Sequence, residues 1–182
     1  VQSGALIAKN AAAITVDTTA PAIGTLSYTD TGSSTTDGIT KNGLITVGSL
    51  EAGATWQYSK DSGATWTTGT GTSFTLAAGT YAAGAVQMRE TDKAGNVQSG
   101  ALIAKNAAAI TVDTTAPAIG TLSFTDTGSS TSDGITKNGL ITVGSLEAGA
   151  TWQYSKDSGV TWTAGTGTSF TLAAGTYAAG AV

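Results

Sequence analysis

Twelve carboxylates are the chemical resource of this chain: Asp17, Asp30, Asp37, Glu51, Asp61, Glu90 and Asp92, then Asp113, Asp126, Asp133, Glu147 and Asp157. Histidine and cysteine are absent from the 182 residues, and the only arginine is Arg89. Two chemistries suit such a set. Glycoside hydrolysis needs two carboxylates about 5–10 Å apart, and Glu51 with Asp61 is the pair to weigh. Coordination of a hard cation needs several oxygens at one place and no nitrogen or sulfur. The missing His and Cys exclude a Cys/His zinc or haem site, a disulfide framework and the commonest general base. A net charge of −4 with scattered lysines leaves no basic patch for nucleic acid.

The hydrolytic reading fails on the elements that must position the pair. Glu51 and Asp61 fall at opposite ends of one expected strand, 54–60, so their carboxylates are held apart and no enzyme is expected. The stretch SKDSGATW at 59–66, repeated as SKDSGVTW at 155–162, has the Ser-x-Asp-x-Gly-x-Thr-Trp pattern of the Asp-box hairpin of sialidases. A sialidase resemblance would also require a cluster of arginines, and this chain has one. The hairpin explains its own residues: Asp61 accepts N–H bonds within the turn, Gly63 supplies a positive φ, Ser59 and Thr65 bond across it, and Trp66 packs over it.

Self-alignment gives a period of 96 residues: Val1 falls on Val97 and Val86 on Val182. Only Tyr28/Phe124, Thr36/Ser132, Ala64/Val160 and Thr68/Ala164 differ over the overlap. A period of about this length can close a core of its own, unlike a solenoid repeat. With the seam at VDTTAP, residues 17–112 make one complete repeat, 1–16 the last strand of a preceding one, and 113–182 a repeat lacking its final strands. Residues 1–16 are therefore expected to complete the shortened repeat of a neighbouring molecule by strand pairing.

Helix signals are nearly absent, and β-branched alternation punctuated by glycine predicts an all-β chain. Strands are expected at 21–29, 43–50, 54–60, 64–68, 73–77, 81–91 and 97–112. Seven short strands per repeat predict tandem immunoglobulin-like β-sandwich domains. Trp56 is the expected core aromatic, surrounded by Ile45, Val47, Phe74, Leu76, Val86 and Met88. No apolar run reaches the roughly 18 residues of a membrane span, since ALIAKNAAAITV is broken by Lys9 and Asn10.

That strand order sends most acids to the two poles of a repeat. Asp30 and Asp37, in the loop DTGSSTTDGITKN, come to the pole where the chain leaves for the next repeat, facing Asp113 and Glu147. Asp17, Glu51, Glu90, Asp92 and the Asn96 amide converge at the opposite pole. Carboxylates crowded at a seam repel unless a cation neutralises them, and an oxygen-only set selects Ca²⁺ over Zn²⁺. Solvated turn residues are the plainer reading of the same acids.

The ordered segments VDTTAPAIGTL, DTGSSTTDGIT, LEAGATWQYSKDSGATW and GTGTSFTLAAGTYAAGAVQMRETDKAGN resemble the tandem bacterial Ig-like repeats of giant RTX-type biofilm and ice-adhesion proteins. The resemblance runs over the entire chain. It implies an extender region at the bacterial cell surface, held rigid by Ca²⁺ at the linkers and projecting a distal adhesive domain. It also implies calcium ligation by Asp17, Asp30, Asp37, Glu90, Asp92, Asp113, Asp126 and Asp133, to which the strand order adds Glu51 and Glu147. The partners implied are the neighbouring repeats. The alternative is a glycan- or ice-binding module of the same adhesin, with Thr68, Thr70 and Thr72 as a contact ladder; the second copy replaces Thr68 by Ala164.

Overall fold

The computed structural model describes residues 9–182. The described chain is all-β apart from one 3₁₀ turn, and it divides into two compact units between Thr114 and Thr115. Of the strand expected over 1–16, residues 1–8 lie outside the described residues, and 9–16 form no strand.

Among the described residues, unit 1 contains ten strands: β1 (Thr25–Ser27), β2 (Ile39–Thr40), β3 (Leu44–Gly48), β4 (Thr55–Ser59), β5 (Thr67–Thr68), β6 (Ser73–Thr75), β7 (Gly79–Tyr81), β8 (Gln87–Thr91), β9 (Ala104–Lys105) and β10 (Ile110–Val112). They form three small sheets, ordered β1-β3-β6, β5-β4-β8-β9 and β2-β10-β7. All pairs are antiparallel except β2 with β10, which run parallel. Alternation explains the shared core: Ile45 and Val47 of β3, Trp56 of β4, Phe74 of β6, Met88 of β8 and Ile110 and Val112 of β10 all point into it. The arrangement is consistent with a β-sandwich. Tyr58 stacks on Phe74 with ring centroids 4.2 Å apart, while the Trp56 indole donates to the Gly71 carbonyl at 3.0 Å.

Two expected strands are broken. The stretch 81–91 splits into β7 and β8, which belong to different sheets, because a turn closes between Ala82 and Ala85 with Gly84 at φ 79°. The stretch 97–112 is interrupted by the 3₁₀ turn Gly100–Leu102 and again at Asn106, so that β9 joins one sheet and β10 another. Asn106 is the cause of the second break. Its Oδ1 accepts from the Val86 N–H at 2.9 Å and its Nδ2 donates to the carbonyls of Ala82 and Ala108, fastening the 82–86 turn to its own segment.

Unit 2 contains β11 (Thr121–Phe124), β12 (Leu140–Gly144), β13 (Gln153–Tyr154), β14 (Thr163–Ala164) and β15 (Ser169–Thr171), in sheets β11-β12-β15 and β13-β14. Its buried hydrophobic core is Ile141, Val143 and Phe170, the counterparts of Ile45, Val47 and Phe74. The residues matching β8, β9 and β10 are not contained in the sequence, which ends at the counterpart of Val86.

Candidate functional site

Asp17, Glu90 and Asp92 lie along the segment that leads into β1. Two side chains of the stretch after β8 hold that segment. Asn96 Nδ2 donates to the Asp17 carbonyl at 3.2 Å and to Asp92 Oδ2 at 2.7 Å, and the Asn96 N–H donates to Asp92 Oδ1 at 2.8 Å. Gln98, which is fully buried, donates through Nε2 to the carbonyls of Pro21 and Ala22 and accepts the Glu90 N–H at Oε1, 2.8 Å away. Asp17, Asp92 and the linker peptide are thereby fixed relative to one another. The Asn96 side chain holds the Asp92 carboxyl below its ordinary range.

Glu90 is the unusual member of the group. It lies on β8 two residues before Asp92 and is fully buried. Its Oε2 accepts the Glu51 N–H at 2.9 Å, whereas its Oε1 is buried with no hydrogen-bond partner among the described residues. Gly24 approaches so closely that a Cβ there would stand 3.1 Å from Glu90 Oε1. Burial pushes the Glu90 carboxyl above its ordinary value, and repulsion from Glu51 adds to the rise against the opposing Glu51 N–H bond. An unpaired buried carboxylate oxygen costs free energy until a proton or a cation meets it.

At the other pole, Asp30 Oδ2 accepts the Gly38 N–H at 2.9 Å, and its Oδ1 is likewise buried without a partner. Asp37 Oδ1 accepts the Ile39 N–H at 2.9 Å and so starts β2. The Asp113 N–H donates to the Thr40 carbonyl at 2.9 Å, extending the β2–β10 ladder and placing the exit of unit 1 beside that loop. Unit 2 repeats the pattern: Asp126 Oδ2 accepts the Gly134 N–H at 2.8 Å with Oδ1 unpartnered, and Asp133 Oδ1 accepts the Ile135 N–H at 3.0 Å. Glu147 is exposed and its carbonyl closes a turn with the Ala150 N–H.

The structure thus pairs Asp17 with Asp92 through Asn96, and Glu51 with Glu90 through a backbone bond. Among the described residues, no three acidic, His or Cys side chains come close enough to hold a metal ion by themselves. Gln98 was not foreseen. Nothing in the polar run NVQSGA marks a glutamine for burial, because its partners lie 76 and 77 residues away.

The Asp61 carboxylate is used up within its own hairpin. Its Oδ1 accepts from Ser59 Oγ at 2.7 Å and from the Thr65 N–H at 2.9 Å, and its Oδ2 accepts from Thr65 Oγ1. These bonds, the Thr65 hydroxyl first, hold its carboxyl down at about 2. Asp157 repeats the arrangement with Ser155 and Thr161 and is also held at about 2. Ser62 and Gly63 turn the chain at φ 61° and 87°, and the Arg89 guanidinium covers the Trp66 ring at 4.1 Å. Of the threonine ladder, Thr68 belongs to β5 whereas Thr70 and Thr72 lie in the loop between β5 and β6.

No known protein family, curated protein or solved structure matches the chain. Among the described residues, no helix is long and apolar enough to cross a membrane.

Proposed function

We propose that the chain is part of the extender region of a large bacterial surface adhesin: immunoglobulin-like β-sandwich repeats in tandem, outside the cell, stiffened by Ca²⁺ at their linkers. The observation that carries this reading is the buried carboxylate of Glu90 directly beneath the linker, with one oxygen unpartnered, where Asn96 and Gln98 already clamp the linker peptide. Asp30 Oδ1 supplies a second unpartnered buried oxygen at the other pole. Both donors are hard oxygens, which fit Ca²⁺.

Among the described residues, one unit does not gather three carboxylates, so the shell is completed by main-chain carbonyls, water and the neighbouring repeat, all of which Ca²⁺ accepts in its six to eight ligands. Sharing of the ion between neighbours is what converts a Thr-rich hinge into a strut. Binding in the range of roughly 10⁻⁴–10⁻³ M fills such sites outside cells and empties them inside. A strand of about seven to nine residues at ~3.3 Å each sets a repeat of roughly 25–30 Å plus its loops, so reach grows with repeat number.

A chain of two complete repeats, melted with millimolar Ca²⁺ and with EDTA and measured by small-angle scattering in both, tests the proposal. A higher melting temperature and a longer maximum dimension with Ca²⁺ are expected. Identical melts and dimensions would leave the acids as solvated turn residues and the reading without its mechanism.

A further inference from the structure

The outer face of the β5-β4-β8-β9 sheet lies apart from the acids of the linker. Alternation sends Trp56, Tyr58, Met88 and Ala104 into the core, so Gln57, Arg89 and Lys105 point the other way, with Thr68 beside Gln57 and Thr55 opposite Thr91. No strand position on that face is a carboxylate, although acids outnumber basic residues twelve to eight in the chain. The one arginine of the sequence stands in the middle of it.

Arg89 is held in place but not neutralised. Its guanidinium lies over the Trp66 ring at 4.1 Å, and Gln57 Oε1 accepts from Nε at 3.0 Å and from Nη2 at 2.8 Å. A guanidinium only donates, so the contact fixes which end of the Gln57 amide faces it. One edge of the group is thereby spent, and the Nη1–Nη2 edge remains, a fork that can grip a carboxylate through two parallel bonds. Among the described residues no carboxylate pairs with Arg89, and its Nη1 and the Gln57 Nε2, unbonded there, reach solvent. The indole beneath and the amide beside it remove freedom that an exposed arginine would otherwise lose on binding, so the fork is preorganised. Lys105 stands opposite Gln87, two residues before Arg89 on β8, which sets the two cations diagonally about 7–8 Å apart.

We propose that this face binds a carboxylate-bearing polysaccharide, with a uronate carboxylate seated on the Nη1–Nη2 edge of Arg89. The charge of the face calls for an anion, and its planar fork matches the two oxygens of a carboxylate. Lys105 meets a further acidic residue of the polymer. The flanks decide for a sugar over a peptide. Gln57 Nε2 and the hydroxyls of Thr55, Thr68 and Thr91 pair with sugar hydroxyls, whereas the Trp66 ring is covered by Arg89 and the strand positions offer no apolar pocket for the anchor side chain of a peptide. The proposal depends neither on calcium nor on the extender reading.

Because the chain has one arginine, it has one arginine Nε–H signal in a proton–nitrogen NMR spectrum, and that signal reports this site alone. The unsubstituted chain is titrated in EDTA with a short oligogalacturonate, with the neutral methyl ester of the same oligomer, and with oligoglutamate. A saturating shift of the Nε–H signal is expected with the oligogalacturonate, none with the ester, and binding roughly ten-fold weaker with oligoglutamate. Arg89→Lys keeps the charge and loses the fork; followed through the Trp66 indole N–H, it should bind the oligogalacturonate roughly ten-fold more weakly, while an unchanged Thr65 amide signal shows that the hairpin is intact. The titration of the unsubstituted chain stands by itself if that variant fails to fold. An Nε–H signal that does not move, or moves equally with the ester, overturns the proposal. Equal binding of oligoglutamate overturns it in favour of an acidic peptide, and undiminished binding by Arg89→Lys reduces the site to diffuse attraction between charges and overturns it too.

Discussion

Replacing Gln98 by alanine tests whether the linker of unit 1 is held by this one side chain. The substitution removes three hydrogen bonds at a fully buried position. Ala22 is exposed, and its carbonyl can return to water at little cost. The Glu90 N–H and the Pro21 carbonyl cannot, because both residues are buried. A buried polar group left unpaired costs about 1–3 kcal/mol, so two of them, at a middle value, destabilise unit 1 by about 4 kcal/mol. Set against the roughly 5–15 kcal/mol of a typical domain, that is a large loss. Amide hydrogen exchange across a urea series measures it, with the exchange of Ile45 and Met88 reporting unit 1 and that of Ile141 and Val143 serving as an internal reference in unit 2. Loss of protection at Thr25–Ser27 is expected as well, since the linker that leads into β1 is released. A change in unit 1 below about 1 kcal/mol would refute the reasoning and mean that water replaces the amide without penalty.

Gly69→Ala should destabilise unit 1 by about 2–4 kcal/mol, because a Cβ there overlaps the Trp56 indole, whose N–H is tied to Gly71. Gly32→Ala, with its nearest neighbour at 3.5 Å, should stay within about 0.5 kcal/mol in the same denaturation assay. The Asp61 carboxyl, held at about 2 against an ordinary 3.8, supports its hairpin fully above that ordinary value and loses the support as pH falls through about 2. Following the Asp61 side-chain carbon by NMR should give that midpoint, and Asp61→Asn should remove the acid dependence of the Thr65 amide. For Glu90 the sign is opposite: its folded-state value is raised, so in EDTA unit 1 should become more stable as pH is lowered from neutrality through that value. Glu90→Gln should raise the melting temperature at neutral pH in EDTA and weaken the response to Ca²⁺, both read by calorimetry.

The core was legible in the sequence because its signal is local and periodic. Ile45, Val47, Trp56, Phe74, Leu76, Val86 and Met88 are all buried in one cluster, as their alternation requires. The hairpin at Ser59–Trp66 was legible for a similar reason, since every bond of Asp61 is made within four residues. What escaped depends on distant partners. The division of 81–91 between two sheets hinges on Asn106 and the Ala82–Ala85 turn, and β2, two residues long, exists as a strand only by pairing with β10, whose partners stand 72 positions away. The site divides along the same line. Strand order brought Glu51 to Glu90 and Asp17 to Asp92, but the side chains that hold the linker, Gln98 and Asn96, act over 76 to 79 residues and leave no local mark.

The position of β10 also has a mechanical meaning. It is the last strand before the chain leaves unit 1, and it lies between a parallel and an antiparallel neighbour, with Thr111 bonded to Gly38 and Asp113 to Thr40. Tension on the chain beyond Asp113 is therefore drawn along the axis of β10, across hydrogen bonds that stand perpendicular to the pull on the β7 side and slanted across it on the β2 side. Such bonds share the load and must give way together, whereas a hairpin pulled from its open end parts one rung at a time. A tether built from such units would resist drag by shear at its exit strands, and its yield point would be set by the few residues from Ile110 to Asp113.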